Sequence, residues 1–196
     1  GDSNVAVGKG ALYVLTTGDN NVAIGANALD ATTTGGSNVA IGYDALTGNI
    51  SGSINIAIGW QALLIHDTGA NNIAIGGNSL LTCNGAASNI AIGYASQNEA
   101  TTGSYNVAIG HNALFDNQTT HYSVAIGTQA LENTTVAGNV GVGYKAGDLI
   151  ITGEKNVVIG YDSDVDANDR DGCVIIGYNL SLNTASDNVV EIGNNT

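Results

Sequence analysis

The residues that invite chemistry lie near the end of the chain. In Asp162-Ser163-Asp164-Val165-Asp166-Ala167-Asn168-Asp169-Arg170-Asp171-Gly172, acidic oxygens recur at alternate positions, the spacing of a loop wrapped around Ca²⁺. Asp162, Asp164, Asp166 and Asp171 are the candidate ligands. The match is incomplete. Ala167 stands at the sixth position, where the sharp turn takes glycine, and Cys173 at the twelfth, where a bidentate glutamate belongs. A solvated acidic turn is the stronger reading. His66, His111 and His121 sit in turn or corner segments without a nucleophile elbow beside a serine. Glycines recur as corner residues at the repeat spacing, so the Gly-x-Gly match Gly8-Lys9-Gly10 does not signal a phosphate-cradling loop. Cys83 and Cys173 are five to six repeats apart, roughly 25 Å at the strand spacing, beyond disulfide reach. No catalytic residue and no cofactor are expected, and an enzyme is not expected.

Composition narrows the class. The chain has 196 residues, 28 of them glycine, with no proline or methionine and only 5% aromatics. Hydrophobic residues reach 43% and charged residues only 11%, the reverse of a disordered chain. The formal net charge is −13, from 17 acidic against 4 basic residues. Nucleic-acid binding rests on Lys and Arg neutralising phosphates, so that partner is not expected. No run approaches the roughly 18 apolar residues of a membrane span, and no membrane insertion is expected in this segment. The opening Gly1-Asp2-Ser3-Asn4 lacks Met and a signal-peptide pattern, as in a fragment or a processed chain.

Stepping along the sequence reveals a repeat. Asn4-Val5-Ala6-Val7-Gly8 returns as Asn21-Val22-Ala23-Ile24-Gly25 and Asn38-Val39-Ala40-Ile41-Gly42, then in pentapeptides ending at Gly59, Gly76, Gly93, Gly110 and Gly127. Looser copies end at Gly143, Gly160, Gly177 and Gly193. The intervals are 17 residues seven times, then 16, 17, 17 and 16. A second element, Ala11-Leu12, Ala28-Leu29, Ala45-Leu46 and so on, follows each glycine, and then a polar turn such as Thr34-Gly35. Seventeen residues are too few for a pair of helices, and Val/Ile alternation argues strand. The fold expected is all-β: a parallel β-solenoid of about 12 coils, each a strand, a glycine corner, a shorter second strand and a polar turn. Residues 1–160 form the regular repeats. Residues 161–196, where Asp164 replaces Leu, Cys173 replaces Asn and Glu191 replaces Ala, are expected to cap or extend the same solenoid.

Period-two alternation assigns faces. Val5, Val22, Ile24, Val39, Ile41, Ile56, Ile58, Ile73, Ile75, Ile90, Ile92, Val107, Ile109, Val124 and Ile126 are expected to fill the coil. Ala6, Ala23, Ala40, Ala57, Ala74, Ala91, Ala108 and Ala125 are then an outward strip of small residues, expected to form the oligomer interface. The recurring Asn is expected to support the corner and bond along the ladder. One residue past the glycine, Tyr43, Trp60, Tyr94, Tyr144, Tyr161 and Tyr178 form an aromatic-prone column, with Trp60 the candidate surface anchor.

From Asn4 to Gly193 the Asn-x-Ala-Ile-Gly strand, with a small residue and glycine turn after it, resembles the YadA-like head repeats of trimeric autotransporter adhesins. It is similar also to repeats in phage and virus tail fibres. The resemblance implies a left-handed β-roll, three chains about one axis and attachment to a surface. The longer coil favours the tail-fibre side of the comparison. The expected function is thus a structural or adhesive segment of a trimeric fibre, extracellular on a cell surface or virion, meeting a glycan or protein receptor on a host surface. Two rivals are a purely structural spacer and an ice-binding solenoid, the latter prompted by the broken column Thr17, Thr34, Thr68, Thr102, Thr119 and Thr152. A polysaccharide-lyase β-helix lacks a convergent acid–base cluster.

Overall fold

The computed structural model describes residues 1–165, 169–182 and 186–194. Each Asn-x-Ala-Ile motif forms a three-residue strand: β1 (Val5–Val7), β2 (Val22–Ile24), β3 (Val39–Ile41), β4 (Ile56–Ile58), β5 (Ile73–Ile75), β6 (Ile90–Ile92), β7 (Val107–Ile109), β8 (Val124–Ile126), β9 (Val140–Val142) and β10 (Val157–Ile159). β11 (Asp164–Val165), β12 (Val174–Tyr178), β13 (Ser181–Leu182) and β14 (Val190–Asn194) follow. One 12-stranded parallel sheet takes β1 to β10, β12 and β14 in chain order; β11 and β13 pair separately. The chain is therefore a parallel β-solenoid with eleven turns of about 17 residues between its 12 strands. Register is residue on equivalent residue: Val22 faces Val39, Ala23 faces Ala40, Ile24 faces Ile41. The two 16-residue coils keep that register, Val124 on Val140 and Val174 on Val190.

Alternation is as expected, but its phase is inverted. Ala23, Ala40, Ala57, Ala74, Ala91, Ala108 and Ala125 have no solvent exposure and form the core with Leu29, Leu46, Leu63, Leu80, Leu114 and Leu131. Ala6, in the end coil, lies in an exposed strand. These alanines point into their own coil and are not available as an oligomer interface. The Val and Ile columns instead point out: across β3 to β7 the pattern is half-buried, buried, half-buried, and Ile24 and Ile126 are 39% exposed. Val5 and Val7, at the open end, are exposed as well.

The cause is width. From β2 to β8 the interior strand position, facing the leucine wall, holds only the methyl group of alanine. Gly141 takes the alanine position in β9, and a Cβ there would lie 2.6 Å from the Ala146 carbonyl oxygen and 2.8 Å from Leu131 Cγ. In the next coil the strand residue grows to Val158, and the leucine position facing it has shrunk to Gly147, whose Cβ would meet Val158 Cγ2 at 3.6 Å. Interior volume is conserved across the two walls, as close packing demands.

The Ala-Leu segment also departs from expectation. It is a series of turns rather than a second strand, extended only at the isolated Ile65–Thr82 bridge and at β11 and β13. Asn27 and Leu29 have φ of 58° and 53°, and Asp44 and Leu46 repeat the pair at 53° and 53°. A left-handed leucine costs roughly 1–2 kcal/mol. Burial of the side chain offsets it, and so does a hydrogen bond from each leucine amide to the next coil, Leu29 N to Ala45 O at 3.1 Å and Leu46 N to Ala62 O at 2.9 Å. The glycine ending each strand is required sterically: Gly59 has φ 137°, and a Cβ would lie 2.6 Å from Gly76 O.

Candidate functional site

The recurring asparagine is structural in its geometry. Asn38, Asn55, Asn72, Asn89 and Asn106 are wholly buried at the corner entering each strand. The side-chain oxygen of one accepts the backbone amide of the next: Asn21 Oδ1 from Asn38 N at 2.9 Å, Asn55 Oδ1 from Asn72 N at 3.0 Å. Its Nδ2 donates across the corner, Asn55 to Gly69 O at 2.9 Å and Asn72 to Ala86 O at 2.9 Å. Ser123 interrupts this ladder with an unpartnered Oγ, and Cys173 N ends it on Asn156 Oδ1 at 2.8 Å. Every amide oxygen in the run is engaged internally, so none is offered to a ligand.

The surface that is offered is the outward strand face. All 12 strands of the long sheet carry Val or Ile at both outward positions, 24 positions in all, and none of the 17 acidic residues falls among them. At about 4.8 Å per strand this uncharged strip runs roughly 55 Å. The aromatic column borders it. Tyr94 and His111 stack at 5.6 Å, Tyr144 and Tyr161 at 4.9 Å, and Tyr161 and Tyr178 at 5.4 Å. Trp60 is 51% exposed. A second stack, Tyr105 on Tyr122 at 5.3 Å and 9° between planes, lies before the asparagine corner on the other border. The sequence reading passed over this pair, although the two tyrosines are one 17-residue coil apart.

The three calcium candidates among the described residues, Asp162, Asp164 and Asp171, do not converge. Asp164 is buried, Oδ2 accepting from Leu149 N at 2.6 Å and Oδ1 from Val165 N at 2.7 Å. Asp171 Oδ1 accepts from Glu154 N at 2.7 Å in a different corner, and Asp162 is exposed in a third. Asp166 lies outside the described residues, and among those described no three His, Cys, Asp or Glu side chains are grouped to hold a metal. Burial, with Asp148 hydrogen-bonded alongside, pushes the Asp164 carboxyl up to about 8.

The histidines are separated. His111 belongs to the aromatic column, and His121 Nδ1 accepts from Ser104 N at 2.9 Å. His66 is buried, Nδ1 2.5 Å from Cys83 O and Nε2 2.9 Å from Gly69 O; burial lowers its pKa, against the opposing pull of those carbonyls and of Asp67. Cys83 and Cys173 are free thiols, and burial pushes Cys83 up to about 12. Threonine hydroxyls beside the proposed ice-binding column are turned to the neighbouring coil: Thr16 Oγ1 donates to Thr33 O at 2.7 Å and Thr101 Oγ1 to Gln118 O at 2.9 Å. No helix among the described residues is long and apolar enough to cross a membrane. No protein-family model, curated protein or solved structure matches the chain.

Proposed function

We propose that this chain is a structural or adhesive segment of a homotrimeric surface or tail fibre, extracellular or virion-borne, that holds its outer corners towards a host surface. The observation that carries this reading is the unbroken, uncharged Val/Ile face on a chain of net charge −13. Exposed apolar strips of this length mark interaction sites. Like-charged copies meet with little repulsion along a face that carries no acid, and closed cyclic symmetry covers the same face on every copy. The number three comes from the resemblance to adhesin heads. Glycan or protein contact would then fall to the corner residues that differ from coil to coil, repeated on equivalent faces so that weak contacts add as avidity.

Light scattering tests it. The expected mass is three times 19.6 kDa, and the double substitution Ile75→Glu/Ile92→Glu, on neighbouring outward positions of β5 and β6, returns it to a single chain with strand signal retained. A single-chain mass for the unaltered protein would refute the reading. A trimer that fails to bind host cells would leave the spacer role in place of adhesion.

A further inference from the structure

We propose that Asn84-Gly85 is a self-modifying site, at which the folded chain converts Asn84 to aspartate and isoaspartate in preference to its other asparagines. The corner that contains it breaks the rule of the repeat. In the coils before it the carbonyl at this position accepts two amides from the preceding coil: Ile50 O accepts from Thr33 N at 3.0 Å and Thr34 N at 3.2 Å, and Asp67 O from Ile50 N at 3.0 Å and Ser51 N at 3.1 Å. Gln118 O likewise accepts from Thr101 N and Thr102 N. At Asn84 the pattern stops. Asp67 N donates to Asn84 Oδ1 at 3.3 Å in place of a backbone oxygen. Among the described residues the amides of Asn84 and Gly85 have no acceptor in the next coil. Both residues are exposed, and Gly85 turns with φ 80°.

These departures are what ring closure needs. The Gly85 nitrogen attacks Asn84 Cγ to close a five-membered imide. Its N–H is unbonded and free to leave. The space around it is open, because even a Cβ on Gly85 would approach only Thr68 Oγ1, at 3.7 Å. The Asp67 amide polarises the carbonyl under attack. As the new C–N bond forms, the Cγ–Nδ2 bond breaks and the nitrogen leaves with the Gly85 proton as ammonia. Water then opens the imide at either carbonyl, giving aspartate or isoaspartate, so one amide and one water become one carboxylate and one ammonium.

Selectivity follows from the fold. This is the single Asn-Gly pair in the chain. The ladder asparagines are buried with both amide atoms bonded and are followed by Val or Ile. The product places a carboxylate one strand spacing from Asp67. The isoaspartyl form also threads an extra methylene into the main chain just before Gly85, one residue ahead of Ala86, whose carbonyl must stay in place for Asn72 Nδ2.

The test is peptide mapping by mass spectrometry of the folded chain held at mildly alkaline pH, beside the same chain in denaturant and the Asn84→Gln variant. The expected result is a one-dalton gain in the folded protein at Asn84, several-fold faster than at any other asparagine, split between two isomers and absent from the variant. Two outcomes would overturn it: Asn84 unchanged in the folded chain while the denatured chain converts, or a gain spread evenly over the asparagines.

Discussion

Asn72→Ala isolates the contribution of the corner ladder. The substitution removes the acceptor of Asn89 N (3.0 Å) and the donor to Ala86 O (2.9 Å), and it strips one of two donors from Asn55 Oδ1. Asn72 and Asn89 are wholly buried and Ala86 nearly so, leaving water little access to the orphaned groups. A buried polar group left unpaired costs about 1–3 kcal/mol, so the two orphaned backbone groups predict a loss of roughly 2–6 kcal/mol. Because coils touch only their neighbours, the loss is concentrated in the adjoining coils. The assay is the denaturant midpoint, with hydrogen exchange followed at the Asn89 amide. The protein carries a natural counterpart at Ser123: Asn106 Oδ1 still receives Ser123 N at 2.9 Å, but Asn139 N has no acceptor among the described residues. Ser123→Asn should therefore raise the midpoint. A loss below about 1 kcal/mol in Asn72→Ala, with Asn89 exchange unchanged, would refute the claim that the ladder stabilises the coil through these bonds.

Two buried ionisable groups predict opposite pH slopes. The folded chain holds Asp164 protonated up to about 8, so its stabilising effect is complete below the ordinary value of 3.8 and is lost as pH rises towards 8. Asp164→Asn should flatten the urea midpoint over that window, and an unchanged slope would refute the assignment. The folded chain prefers His66 neutral, so its stabilising effect is complete above 6.5 and is lost as pH falls below it. Asp67 is the charged neighbour that opposes this trend. His66→Asn adopts the residue of the equivalent position one coil earlier, where Asn49 Nδ2 donates to Gly52 O at 3.0 Å. The acid limb of the midpoint profile should flatten, and persistence of that limb would place its origin elsewhere.

The repeat was legible because each coil must lie in register on the last, and the glycines that allow the corner mark the step. The asparagine role was legible for the same reason. A residue required at every corner for backbone bonding recurs whatever the surface does. The phase of the strands was not. Val-Ala-Ile alternates equally well with either face inward, and hydrophobicity alone favours the branched residues inside. What decides is the distance between two walls, which depends on how the Ala-Leu segment turns. That turn is held by left-handed leucines such as Leu29 and Leu46, and no propensity places leucine there. The described calcium candidates part company on the same ground. Alternate acids converge on an ion only if the loop closes, whereas this chain spreads Asp162, Asp164 and Asp171 over successive corners of one coil.

Once the alanines are inside, the half-buried Val/Ile face lies outside the core of the coil. The backbone is bonded from coil to coil, the interior is filled by Ala, Leu and Asn, and the outward side chains of β2 to β10 could be threonine or lysine without disturbing either. Edge and surface strands facing water ordinarily carry such polar residues. Twenty-four apolar side chains in succession on an acidic protein are what the proposed assembly accounts for. A partner that covers them all must match a 4.8 Å repeat over roughly 55 Å, and a second copy of the same solenoid does so by construction. That periodic match, and not the small-residue strip the sequence suggested, is the physical argument for assembly, and Ile75→Glu/Ile92→Glu is the substitution that separates it from a lone coil.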